Sequence, residues 1–206
     1  MLLNKNNLSV VGVASREAGR YSINGVCVTP EGMTAATDGR RLMTCSPCTE
    51  SEEEFPFSGE DGWEGAALKE NVIIEGDHII AARKALPKKK AVIPFLREHV
   101  QLKSNGNGRL QLLTTDLANT PRIETRPIEG EFPYFDEVIP NGNAEFTINV
   151  NPGLLSDILD IMDLSMDESS VKMEFYGPNK AMKLSCTTSE GQEMVGVLMP
   201  ISIKGG

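Results

Sequence analysis

The sequence predicts an α+β fold built from repeated strand-helix-three-strand units with antiparallel sheets, on three observations. From Glu145, Phe146, Ile148 and Val150 alternate as a half-buried strand does, and Asn151-Pro152-Gly153 then caps a helix whose stripe is Leu154, Leu155, Ile158, Leu159 and Met162. Three alternating segments follow that helix. The same order begins at Asn71, so the pattern recurs after about 73 residues without recurring in identity. Residues 1–46 read as a third, shortened copy that lacks its first strand. Units of this size cannot cover both faces of a sheet alone, so they are expected to stack with their helices on one surface.

In chain order, residues 1–19 carry two conflicting signals: Leu8, Val11 and Ser15 sit near helical spacing, whereas Val10, Val11 and Val13 favour a strand and Gly12 weakens a helix. The helix is the preferred reading. Tyr21, Ile23, Val26 and Val28 form a strand that Pro30-Glu31-Gly32 turns into Met33–Thr37, and Asp38-Gly39 makes the next turn of a small meander. Residues 46–66 hold seven acids and no apolar period, which predicts a solvated loop. Phe55, Phe57 and Trp63 keep open a second reading, an acidic flap that docks on a partner or shields a basic face.

Beyond the loop, Asn71–Ile74 is a strand, Asp77 caps a helix through Ile79, Ile80, Ala82 and Leu86, and Pro87 ends it. Strands are then expected at His99–Lys103, Arg109–Thr114 and Arg122–Ile128. In the last copy they fall at Val171–Phe175, Met182–Cys186 and Val195–Met199, running on to Ile203.

Composition narrows the function classes. A formal charge of −9 argues against a dedicated nucleic-acid binder that relies on neutralising phosphates, although it leaves room for a local basic surface. Four cysteines are too few and too unevenly spaced for a disulfide framework, no stretch resembles a signal peptide, and no apolar run reaches a membrane span. A cytoplasmic protein with no membrane partner is the expectation. Cys45 and Cys48 have metal-site spacing but no second pair, Asn105-Gly106-Asn107-Gly108 is a hairpin turn, and no histidine stands beside a nucleophile. No enzyme activity, no metal and no cofactor are expected.

Four motifs then carry a resemblance. Arg20-Tyr21-Ser22-Ile23-Asn24-Gly25-Val26, Ala36-Thr37-Asp38-Gly39-Arg40-Arg41-Leu42, Glu129-Gly130-Glu131-Phe132-Pro133-Tyr134 with Val138-Ile139-Pro140, and Val197-Leu198-Met199-Pro200-Ile201 occur in this order. In order and spacing they resemble the bacterial DNA polymerase III beta subunit, the sliding clamp, in a shortened form. By that resemblance residues 1–140 correspond to the clamp's middle domain and residues 141–206 to a half-domain at the end of its C-terminal domain. Arg40 stands where the family usually has histidine, and Ser202 where it usually has a basic residue.

The resemblance implies a DNA-clamp-like fold and a homo-oligomeric processivity factor that holds polymerase on double-stranded DNA without reading sequence. It also implies a pocket for peptide motifs of polymerase and clamp loader, made by Thr37, Gly39, Arg41, Leu42, Pro140, Val197, Met199, Pro200 and Ile201. Arg41 would rim that pocket and meet partner carboxylates or carbonyls. Without the resemblance, Val197 and Met199 read equally well as core residues of the last strand.

For DNA, Arg83, Lys84, Lys88, Lys89 and Lys90 cluster at the end of a helix, where they suit phosphate contact or, more plainly, the helix dipole. The second helix points the other way, with Asp157, Asp160, Asp163, Asp167 and Glu168. It favours the alternative function, a clamp-derived interaction module or replisome regulator that does not encircle DNA.

Overall fold

The computed structural model describes residues 1–17, 19–56, 67–88, 93–105, 108–163 and 170–201. The chain divides into two compact units, Met1–Ile139 and Pro140–Gly206. The expected residues Phe57 and Trp63 of the acidic segment, and Lys89, Lys90, Asp167, Glu168, Ser202 and Ile203, lie outside the described residues.

The first unit holds two copies of the repeat. Copy one is β1 (Leu2–Asn4), α1 (Lys5–Ser9), β2 (Gly25–Val28), β3 (Thr34–Thr37) and β4 (Leu42–Cys45). Copy two is β5 (Val72–Glu75), α2 (Gly76–Ala85), a short α3 (Pro94–Glu98), β6 (His99–Ser104), β7 (Leu110–Leu113) and β8 (Arg122–Thr125). The first strand expected to be missing is therefore present. Residues 1–19 satisfy both of their signals in turn: Leu2 and Leu3 enter a sheet, and the chain then coils through α1 and a 3-10 turn at Val10–Val13. Asn4 and Asn7 form a reciprocal capping box at the start of α1, which offsets the poor helix propensity of Asn6 and Asn7.

The two copies exchange their first strands. One sheet has the order β1-β6-β7-β8 and the other β4-β3-β2-β5, so each copy's first strand pairs with the second strand of its neighbour. All pairings are antiparallel, with Leu3 opposite Val100 and Ile74 opposite Val26. One core joins both sheets and both helices, with Leu3, Leu8, Val26, Ile74, Ile79 and Val100 all fully buried in it. Gly25 allows the close approach at the exchange, because a Cβ there would lie 2.3 Å from the Ile74 carbonyl oxygen.

Several local expectations change. Tyr21–Ile23 is a 3-10 turn ahead of the strand, since its Ile23 amide bonds back to the Arg20 carbonyl. Helix α2 starts at Gly76 after Glu75, with Asp77 inside the first turn instead of capping it. The described part of the acidic segment is also no free loop or flap. Phe55 is buried with Leu2, Leu96 and Leu113, and Glu52 accepts a 2.9 Å hydrogen bond from Gln101 Nε2.

The second unit holds one copy. Helix α4 (Pro152–Asp163) lies on a sheet of β9 (Lys172–Glu174), β10 (Met182–Thr187) and β11 (Glu193–Leu198) in the order β11-β10-β9. Asn151 caps α4 as expected, its Oδ1 accepting from the Gly153 and Leu154 amides at 2.9 and 3.2 Å. Met162, Met182, Leu184, Cys186 and Leu198 form the core beneath the helix. The segment Phe146–Val150, expected as a strand, joins no sheet among the described residues. Its described backbone link is the 2.7 Å bond from the Ile201 amide to the Asn149 carbonyl, while Ile148 and Val150 rest on the core.

Candidate functional site

The residues expected to bind peptide fall in both units, and each group is described within its own. In the first unit the β3-β4 turn is self-contained. Thr37 Oγ1 donates to the Arg41 carbonyl at 2.7 Å and accepts from the Gly39 amide at 3.0 Å, and Gly39 takes the φ of +86° that the turn demands. Asp38 Oδ1 accepts from the Arg40 and Arg41 amides at 2.9 and 3.0 Å. Those two amides hold the Asp38 carboxyl below the usual aspartate range.

Arg41 is exposed and its Nε lies 3.0 Å from Asp38 Oδ2. The expected rim residue is thus turned onto its own turn, paired with the carboxylate three residues back. Leu42 faces the outer side of the sheet, where it packs with Cys27, Ala35, Phe132 and Phe135. The Glu129–Tyr134 motif belongs to a strap across this face, tied down by the bond from the Ile128 amide to the Ile73 carbonyl at 2.8 Å. A cavity of about 750 Å³ opens beside the strap, lined in part by Met33, Val72, Phe132 and Tyr134.

In the second unit, period two sorts β11 and the residues after it. Met194 and Leu198 face α4, whereas Val195, Val197, Met199 and Ile201 are 53, 60, 65 and 46% exposed. Val197 and Met199 are therefore not core residues. Val195 completes the same apolar strip, and it was not among the expected pocket residues although the alternation from Glu193 to Ile201 contains it. Pro200 is half-buried and Pro140 is exposed at the start of the unit.

Of the basic cluster, Arg83 and Lys84 occupy the last turn of α2 and Lys88 follows it, all three exposed. Their burial pattern is set by Ile79, Ala82 and Leu86, which take the core side of the helix. On α4 the acids Asp157, Asp160 and Asp163 are exposed.

The remaining candidates have structural partners. His99 Nδ1 lies 2.7 Å from the Phe95 carbonyl and its ring stacks on Phe95, and His78 Nδ1 lies 3.0 Å from Thr125 Oγ1. All four cysteines are free, and burial pushes the Cys27 thiol up to about 11. Among the described residues no group of three or more His, Cys, Asp or Glu could hold a metal ion. Among them, too, no helix is long and apolar enough to cross a membrane.

No protein-family model matches the chain, and no curated protein matches it. Solved structures do. The beta sliding clamp of Caulobacter crescentus superposes with a TM-score of 0.67 at 21% identity, covering 97% of this chain and 50% of that one. The sliding clamp of Pseudomonas aeruginosa gives 0.68 at 15% identity over 97% and 50%, and that of Bacillus subtilis 0.68 at 18% over 100% and 50%. The chain thus spans about half the length of the clamps it matches. At these identities the likeness is one of architecture, and in architecture the chain has the fold of the sliding clamps of bacterial DNA polymerase.

Proposed function

We propose that the chain is a sliding-clamp-like processivity factor that acts as a homo-oligomer, holding DNA polymerase on double-stranded DNA and binding partner peptides. The observation that carries this reading is the clamp fold over 97% of the chain at a TM-score of 0.67. Exposed Arg83, Lys84 and Lys88 support a sequence-neutral phosphate contact, to which Lys89 and Lys90 would add. The apolar strip of Val195, Val197, Met199 and Ile201 supports peptide recognition, because alternate apolar side chains along an exposed strand suit the anchors of a short motif. Thr37, Gly39, Arg41, Leu42, Pro140 and Pro200 would supply the rest of that recognition. The role needs no catalytic group and no cofactor.

The second reading, an interaction module that does not encircle DNA, has one specific observation behind it. The charged residues of α4 are the exposed acids Asp157, Asp160 and Asp163, and no Lys or Arg occurs from Pro152 to Asp163. Phosphate would be repelled there.

Primer extension on a primed circular template, with the bacterial polymerase that the chain binds in pull-down, separates the two. The clamp reading expects longer products per binding event, lost when Arg83, Lys84 and Lys88 are changed to glutamate. Product length indifferent to the chain sinks it and leaves the interaction module. For peptide recognition, Met199→Asp is the cleaner variant because Met199 is 65% exposed, whereas Leu42 also packs on Phe135. It should weaken binding of a clamp-binding peptide at least tenfold, and unchanged affinity refutes the assignment.

A further inference from the structure

Within the first unit, each copy of the repeat is finished by the other. The residue after the first position of the second strand is Val26 in copy one and Val100 in copy two, and both are 0% exposed because an exchanged strand and a second helix cover them. Two residues further on, Val28 and Leu102 are 0 and 2% exposed. The matching positions of the third copy are Met173 and Phe175, counted from Lys172 at the start of β9. They are 41 and 45% exposed.

Met173 lies opposite Leu184, which is fully buried, so it belongs to the core side of the sheet and is left uncovered there. The outer edge of β9 has no strand beside it among the described residues. Helix α4 likewise shows Leu154 and Ile161, 54 and 57% exposed. In the first unit α1 and α2 pack against each other, with Leu8 and Ile79 both fully buried.

The same copy also carries the piece that would cover this edge. Phe146, Ile148 and Val150 alternate as an exchanged strand should, they immediately precede a capped helix as β1 and β5 do, and among the described residues they sit in no sheet. One copy thus owns both a donor strand and a vacant acceptor edge. Two such copies related by a two-fold axis would each satisfy the other, which is the self-complementary geometry of an isologous interface.

We infer that the second unit pairs with the second unit of another copy of this chain by reciprocal exchange of residues 146–150 onto the edge of β9. The register follows from the first unit. There the residue just before each helix, Asn4 or Glu75, lies opposite the first residue of the neighbour's second strand, His99 or Gly25. Carried over, Asn151 of one copy lies opposite Lys172 of the other, Val150 opposite Met173, Asn149 opposite Glu174, and Ile148 opposite Phe175. The faces agree. Leu3 and Ile74, the equivalents of Val150, point into the core with Val100 and Val26.

The test uses the full chain. Sedimentation equilibrium at micromolar concentration should give twice the chain mass. With Cys45 and Cys48 changed to serine, V150C together with M173C should form a disulfide-linked dimer under mild oxidation. V150C together with K172C, one residue out of register and on the opposite face, should link at least tenfold less. A monomer at every concentration overturns the exchange, as does a dimer that links both pairs equally or neither. A chain that stays monomeric until a different protein with a clamp-like unit is added also overturns it.

Discussion

The two units use one supersecondary pattern with opposite outcomes. In the first, two copies exchange their first strands, and Leu3, Ile74, Val26 and Val100 are all 0% exposed. In the second, one copy has a sheet of three strands among the described residues, and Met173, Phe175, Leu154 and Ile161 stand between 41 and 57% exposed. The same periodicity therefore does not guarantee the same burial. A strand-helix-three-strand unit covers one face of its sheet with its own helix, and the edge beside its second strand is left for a sister unit. Stability in this fold lives in the pair.

The sharpest way to break that comparison is to truncate equivalent positions. Leu102→Ala, in the closed core, should lower the unfolding free energy of the first unit by roughly 2–5 kcal/mol. Phe175→Ala, its equivalent in the second unit, removes a half-exposed ring whose described ring partner is Phe146, at 6.0 Å, and should cost about 1 kcal/mol or less in dilute protein. Urea unfolding followed by circular dichroism reads both. Equal losses would mean that the two units are closed to the same degree. If the Phe175→Ala penalty grows with protein concentration, the contact is made between chains.

The next expected effect concerns backbone approach. Gly25→Ala places a methyl 2.3 Å from the Ile74 carbonyl oxygen and 2.9 Å from its carbon, so β5 must move away from β2. A loss of roughly 1–3 kcal/mol is expected, with faster amide exchange at Ile74 and Val26. Gly196→Ala meets side-chain atoms instead, Ile158 Cγ2 at 2.8 Å and Met162 Cε at 3.3 Å. Helix α4 can lift from a sheet that holds it on one side, so its loss should be the smaller of the two. The reverse order in a melting comparison contradicts the picture of a tight and a loose unit.

How far the sequence could be read follows the same division. Elements that satisfy themselves were legible. Asn151-Pro152-Gly153 caps α4, the stripe faces the sheet from Leu155 through Met162 while Leu154 stays exposed, and the burial of β10 and β11 alternates. Elements defined by a distant partner were not. Strand β1 is three residues long and its mate is β6, with Leu2 opposite Gln101, so no local pattern announces it. Helix α1 is polar, and it is held by side-chain bonds that no periodicity encodes, including Asn7 Nδ2 to the Ser46 carbonyl at 2.9 Å. Phe146–Val150 shows the converse, a strand pattern that finds no sheet edge among the described residues of its own unit. For the candidate site, Leu42 and the expected residues of the β11 strip were named through the resemblance, and alternation alone left Val197 and Met199 readable as core. The engagement of Arg41 was not legible, because nothing in Asp-Gly-Arg-Arg says which arginine will fold back on the aspartate.

The smallest expected effect isolates that turn. Asp38 is ordinarily protonated below about pH 4, and the Arg40 and Arg41 amides lower its folded value beneath that of the unfolded chain. A depressed carboxyl contributes stability that is present above the unfolded pKa and is lost as pH falls through the folded one. The turn should therefore keep its shape down through pH 4 and open only in more acid solution. Amide chemical shifts of Arg40 and Arg41, followed by NMR from pH 6 to pH 2 (about the useful span for a carboxylate of this kind), should report a midpoint below the ordinary aspartate value. In Asp38→Asn both amides keep an oxygen acceptor, so the acid transition should vanish while the turn persists. A midpoint at the ordinary aspartate value would mean that the turn is not held by its carboxylate, and Arg41 would then be free to meet a partner's acid, as its place in the motif first suggested.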